Sequence, residues 1–72
     1  MSRQQTLIME HLKAHKTITP MEAFSIYGIT KLATRISELR RSGVQILGDW
    51  VETENAFGDK VRFKSYRLGA SD

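Results

Sequence analysis

The feature that most constrains this chain of 72 residues is a change of apolar period at Gly43. Before that glycine, apolar residues recur at three- and four-residue spacing, which is typical of amphipathic helices. After it come VQILGDWVETEN and KVRFKSYRL, two runs rich in β-branched and aromatic residues, separated by the turn-forming letters NAFGD. Such a pattern predicts a β-hairpin. The order of elements predicts an α+β fold in one domain, residues 1–72.

Capping signals mark where the first two helices begin. Ser2 and Gln5 have the spacing of a capping box at the start of SRQQTLIMEHLKAH. In ITPMEAFSIYG, Thr19 can cap, Pro20 suits the first helical position and Glu22 completes a second capping box. We therefore expect two separate helices within the first 28 residues.

A third helix is predicted over residues 30–42, with Thr30 as its cap and Gly43 as its stop. Its expected buried stripe consists of Leu32, Ala33, Ile36 and Leu39. The expected apolar side of the second helix consists of Ala23, Phe24 and Tyr27. Two short helices joined by a tight turn at Gly28 form the helix-turn-helix pattern.

The hairpin has a predicted register. A five-residue loop pairs residues whose numbers sum to 114, which sets Glu52 opposite Arg62 and Glu54 opposite Lys60, both favourable charge pairs. The apolar residues at the two ends of the hairpin differ in phase. A bulge near residue 48 or 65 would reconcile them.

The distribution of charge indicates an anionic partner. The net charge is +3, and the basic residues concentrate in residues 31–41 and 60–67, with an acidic patch of Asp49, Glu52 and Glu54 between them. The chain has no cysteine, no apolar run of membrane-spanning length and a polar start, MSRQQT. We therefore expect a cytoplasmic protein without disulfides, thiolate metal sites or a membrane partner.

The outer face of the third helix is the main candidate site. Its basic and polar residues suit the major groove of double-stranded DNA, which accepts one α-helix. The base-facing candidates are Lys31, Thr34, Arg35 and Glu38. The candidates for DNA backbone contacts are Arg40 and Arg41 at the end of the helix, and Lys60, Arg62 and Lys64 on the hairpin.

The runs ITPMEAF and YGITKLATRISELRRSGVQI, with the later YRL, resemble the short helix-turn-helix domain proteins of phages and prophages over roughly residues 4–68. That resemblance implies a winged helix-turn-helix, in which three helices precede a hairpin wing, and a DNA-binding transcriptional regulator. The segment LGDWVETEN departs from a minimal wing because it is longer and more acidic.

Other interpretations remain open at this point. A protein-interaction module could use Trp50, the acidic strand, Leu47 and Phe57, although Trp50 is expected to pack over the core or close the hairpin. His11 and His15 are four residues apart, but no third ligand is evident and no metal or other cofactor is expected. No nucleophile–base pair or phosphate loop is present, so we do not expect an enzyme. A homodimer on paired half-sites is also open.

Overall fold

The computed structural model describes residues 2–69, which form three helices and three strands. The elements in chain order are α1 (Arg3–His15), β1 (Thr17–Ile18), α2 (Pro20–Tyr27), α3 (Leu32–Arg41), β2 (Ile46–Glu54) and β3 (Lys60–Leu68). The short strand β1 was not predicted from the sequence. It pairs with β3 and ties the connection between the first two helices to the sheet.

Both predicted capping boxes form. At the start of α1, the backbone N–H of Gln5 donates to Ser2 Oγ at 3.2 Å, and the Ser2 N–H donates to Gln5 Oε1 at 3.1 Å. At the start of α2, the same pair of bonds joins Thr19 and Glu22 at 3.2 and 3.0 Å. Gly28 then ends α2 in the left-handed region, with φ of 70°.

The predicted start of the third helix is wrong. Lys31, not Thr30, occupies the N-cap position, and no side chain caps the helix there. Ile29 provides the reason: it is buried, and its N–H donates to the Ala23 carbonyl at 3.0 Å. The turn is thereby anchored to the core, and the chain enters α3 only at Leu32.

The core lies between the helices and the base of the sheet. It comprises Ile8, Leu12, Ile18, Ala23, Ile29, Leu32, Ile36, Leu39, Ile46 and Tyr66. Two predicted members are wrong, because Phe24 is 58% exposed and Ala33 also lies on the surface. The buried stripe of α3 is centred on Leu32, Ile36 and Leu39, and Ala33 lies about 100° from Leu32 around the helix, outside that stripe.

The three strands form an antiparallel sheet in the order β1-β3-β2. The predicted register of the hairpin is confirmed from Ile46↔Leu68 to Glu54↔Lys60, in one continuous ladder. The predicted bulge is therefore wrong. The two ends differ in phase because they have different neighbours: Ile46 faces the helices, whereas Phe63 borders a groove at the start of α2 on the opposite face.

Candidate nucleic-acid interface

The outer face of α3 is exposed to solvent. The side chains directly opposite the buried stripe are Thr34, Ser37 and Arg41, and all three are exposed. Lys31, at the N-cap, is exposed as well. This face therefore presents hydroxyl groups and positive charge without a large apolar side chain.

Ser37 belongs to this face but was not among the candidates from the sequence. The reason lies in Ala33. When Ala33 is counted in the buried stripe, the outward direction rotates away from Ser37 and toward Glu38. A small residue gives a weak burial signal, so a stripe drawn from Leu32, Ile36 and Leu39 alone would have identified Ser37.

Arg35 and Glu38 form a polar network on the α1 side of α3. Arg35 Nη1 lies 3.3 Å from Glu38 Oε1, and Gln5 Nε2 on α1 donates to the same oxygen at 2.8 Å. Both residues are half-buried, and within residues 2–69 the buried Nε of Arg35 has no hydrogen-bond partner. These two base-facing candidates therefore flank the outer face, whereas Lys31 and Thr34 are freely exposed.

Arg40 connects α3 to the hairpin. Its Nε donates to the Ile46 carbonyl at 3.0 Å, and its guanidinium lies 5.9 Å from the centre of the Tyr66 ring. Arg40 and its neighbour Arg41 are both exposed, but Arg41 lies on the outer face, about 100° further around the helix. The two arginines predicted to act alike are thus placed differently.

A row of positive charge continues from Arg40 along the hairpin. Side chains alternate between the two faces of a strand, so Lys60, Arg62 and Lys64 share the face of β3 that also carries Tyr66. Arg40 lies over Tyr66 at the base of this face. We call Arg40, Lys64, Arg62 and Lys60 the basic ridge.

The acidic strand does not neutralise the ridge by direct pairing. Glu52 is opposite Arg62 in the ladder, and Glu54 is opposite Lys60. In the described part of the chain, however, no ion pair within 4.0 Å joins either couple. Asp49 does form an ion pair, with Arg67 at 2.9 Å, but alternation places that pair on the other face of the hairpin.

Trp50 lies beneath the ridge on the same face. The guanidinium carbon of Arg62 is 4.7 Å from the ring centroid, and Nζ of Lys64 is 5.3 Å from it. The side chain is 61% exposed and is absent from the buried core. Trp50 was expected either to pack over the core or to close the hairpin. It does not pack over the core, and its contacts are with the opposite strand of the hairpin.

The two candidate metal-binding histidines differ in environment. Their rings are 4.6 Å apart, but His11 is buried and its Nδ1 lies 2.8 Å from the Tyr27 hydroxyl. No group of three or more His, Cys, Asp or Glu side chains among the described residues could hold a metal ion. Nor does any helix of residues 2–69 have both the length and the apolar character needed to cross a membrane.

The chain matches the model of a known protein family. The family model of the winged helix-turn-helix domain matches residues 3–71, which is nearly the whole chain. No curated protein matches the chain. The order of three helices and a three-stranded antiparallel sheet agrees with the family's fold, and a helix-turn-helix unit suggests DNA binding. The chain belongs to the winged helix-turn-helix domain family.

Proposed function

We propose that this protein binds double-stranded DNA with sequence preference, and that α3 enters the major groove while the basic ridge holds the backbone. The observation that carries the proposal is the contact between the end of α3 and the basic hairpin. The C-terminal end of α3 and the hairpin are joined at Arg40, which contacts both Ile46 and Tyr66. The C-terminal end of α3 therefore adjoins the base of the hairpin, from which Lys64, Arg62 and Lys60 extend.

The chemistry of α3 suits the edges of bases. Lys31 can donate to guanine, and the Thr34 methyl can contact the thymine methyl. Arg35 can also donate to guanine, and Glu38 can accept from cytosine N4, once their mutual contact opens or turns toward the groove. Ser37 joins this set because it lies at the centre of the exposed face.

The remaining cations suit phosphates. Arg41 is exposed at the C-terminal end of α3, and Lys60, Arg62 and Lys64 follow the hairpin. Contacts of this kind fix position and orientation without reading sequence. The proposal extends to a cytoplasmic regulator of transcription from a phage or prophage, which rests on the sequence resemblance alone.

The test is binding to labelled duplex DNA of random sequence, measured by fluorescence anisotropy at about 50 and about 200 mM salt. We expect binding at the lower salt and a steep loss at the higher salt, because each neutralised phosphate releases counterions. Lys13→Gln is the control variant, because it removes one exposed charge outside the proposed surface. It should bind DNA nearly as well as the intact chain. Absence of binding at the lower salt would overturn the proposal.

A second candidate function is a protein-interaction module, favoured by exposed apolar groups. Phe57 at the hairpin turn is 88% exposed, and Met21 at the start of α2 is 75% exposed. Met21 borders a groove of about 540 Å³, which Val61 and Phe63 also line. A partner held there would bind with a shallow salt dependence, whereas DNA binding is steep.

A further inference from the structure

We propose that Trp50 is a positioning residue, which orders the side chains of Arg62 and Lys64 for contacts with phosphates of the DNA backbone. This inference rests on the proposed function and assigns to the wing a site built by an uncharged residue. We call these three side chains the Trp50 platform.

Two cations share one aromatic ring in the platform. Trp50 and Lys64 are opposite each other in the ladder, and Arg62 is the diagonal neighbour. Their charged groups lie 5.3 and 4.7 Å from the ring centroid, within the range of a cation–π interaction. The indole therefore restricts the positions of both charged groups on this face of the hairpin.

Gly48 supports the position of Lys64. A Cβ atom at residue 48 would lie 2.7 Å from Cε of Lys64, so the lysine side chain passes directly over the glycine. Lys64 is half-buried as a result, although it is charged. A larger residue at position 48 would displace the end of the lysine side chain from the ring.

The platform has a surplus of positive charge where the wing as a whole has none. Residues 46–68 contain four acidic and four basic side chains, so general attraction of the wing to DNA is weak. Yet no carboxylate among residues 2–69 lies within 4.0 Å of either platform cation. Arginine suits the paired oxygens of a phosphate, and lysine binds a phosphate as a point charge.

Trp50 contributes by preparing the two cations before DNA arrives. Ordering a long, flexible side chain on binding opposes association, because conformational entropy is lost. Because the ring already restricts both side chains in the free protein, less conformational entropy is lost when the complex forms. Replacement of the ring should therefore weaken binding by about five- to tenfold while leaving sequence preference unchanged.

The experiment compares Trp50→Leu and Gly48→Ala with the intact chain in binding to random duplex DNA by anisotropy. Trp50→Leu should raise Kd by about five- to tenfold, and Gly48→Ala should raise it by a smaller factor because only Lys64 moves. Phe57→Leu is the matched control, since it removes an exposed aromatic ring of the same hairpin outside the platform. Circular dichroism melting verifies that each variant is folded.

A double-mutant cycle tests whether Trp50 acts on DNA binding through Arg62 and Lys64. In a chain carrying Arg62→Gln and Lys64→Gln, replacement of Trp50 by Leu should produce no further loss, because the ring acts only through the two cations. Trp50 is the only tryptophan, so its emission in the intact chain should change as DNA saturates the protein.

The outcomes separate the two proposals. If the intact chain binds DNA but Trp50→Leu binds equally well, the platform is overturned and DNA binding stands. A loss that persists in the chain without both cations would also overturn it, because the ring would then contact DNA directly. If the intact chain fails to bind at low salt, DNA binding itself is refuted.

Discussion

Nε2 of Gln5 on α1 donates a hydrogen bond of 2.8 Å to Oε1 of Glu38 on α3, and the same oxygen lies 3.3 Å from Nη1 of Arg35. This carboxylate thus holds an arginine of the proposed recognition helix beside α1. It also places negative charge at the edge of a surface proposed to approach phosphates. Both effects should weaken binding to DNA of random sequence.

Glu38→Gln should accordingly bind random duplex DNA about two- to threefold more tightly, since partly exposed charge pairs contribute under about 1 kcal/mol. Preference for a selected sequence should fall if Glu38 accepts from cytosine. Anisotropy titrations with both kinds of duplex measure the two effects. Glu10→Gln removes the same charge from an exposed position of α1. An equal gain in that control would assign the change to net charge alone.

Arg35→Ala and Lys60→Ala should differ in kind. The first should cost about 1–3 kcal/mol of binding free energy on a selected site and relax sequence preference there. The second should weaken binding to every sequence alike and lower the salt slope by about one. Titrations on selected and random duplexes over a range of salt distinguish them. Equal losses on both duplexes for both variants would refute this division of labour.

Features of the fold that depend on residues close together in the chain were predicted from the sequence. A feature that depends on a tertiary contact was not. Capping boxes and the hairpin register are set by residues close in the chain, and both were predicted correctly. The start of α3 was missed because Ile29, a tertiary anchor, decides where the turn ends. A local pattern around Thr30 carries no information about that anchor.

The candidate site was predicted less completely, because side chains choose among several partners. Register placed Arg62 opposite Glu52, yet the guanidinium lies over Trp50 on the neighbouring pair. Strand register alone gives no means of deciding between an acid and an aromatic ring. Ser37 was missed for a related reason, since the burial of the small Ala33 was assumed.

The two threonines before α2 and α3 should respond differently to substitution. Thr19 caps α2 through its hydroxyl, so Thr19→Ala should lower the free energy of unfolding by about 0.5–2 kcal/mol. Thr30 is exposed and lies outside the N-cap of α3, so Thr30→Ala should change it by no more than about 0.5 kcal/mol. Urea unfolding followed by circular dichroism measures both. A loss at Thr30 as large as at Thr19 would restore it as a cap.

The small core makes the stability of this domain sensitive to the loss of one buried side chain. Leu39 is fully buried on α3, and Leu39→Ala should cost about 2–5 kcal/mol of unfolding free energy through lost burial and the cavity that remains. Small domains have total stabilities of about 5–15 kcal/mol, so this one replacement removes a large share. Ile26→Ala is the matched control, because Ile26 on α2 is 57% exposed and its truncation should cost under about 0.5 kcal/mol. Thermal and urea unfolding of the two variants give the comparison. Similar losses would mean that the exposed apolar side of α2 is covered in solution, which would favour the protein-interaction function over DNA binding.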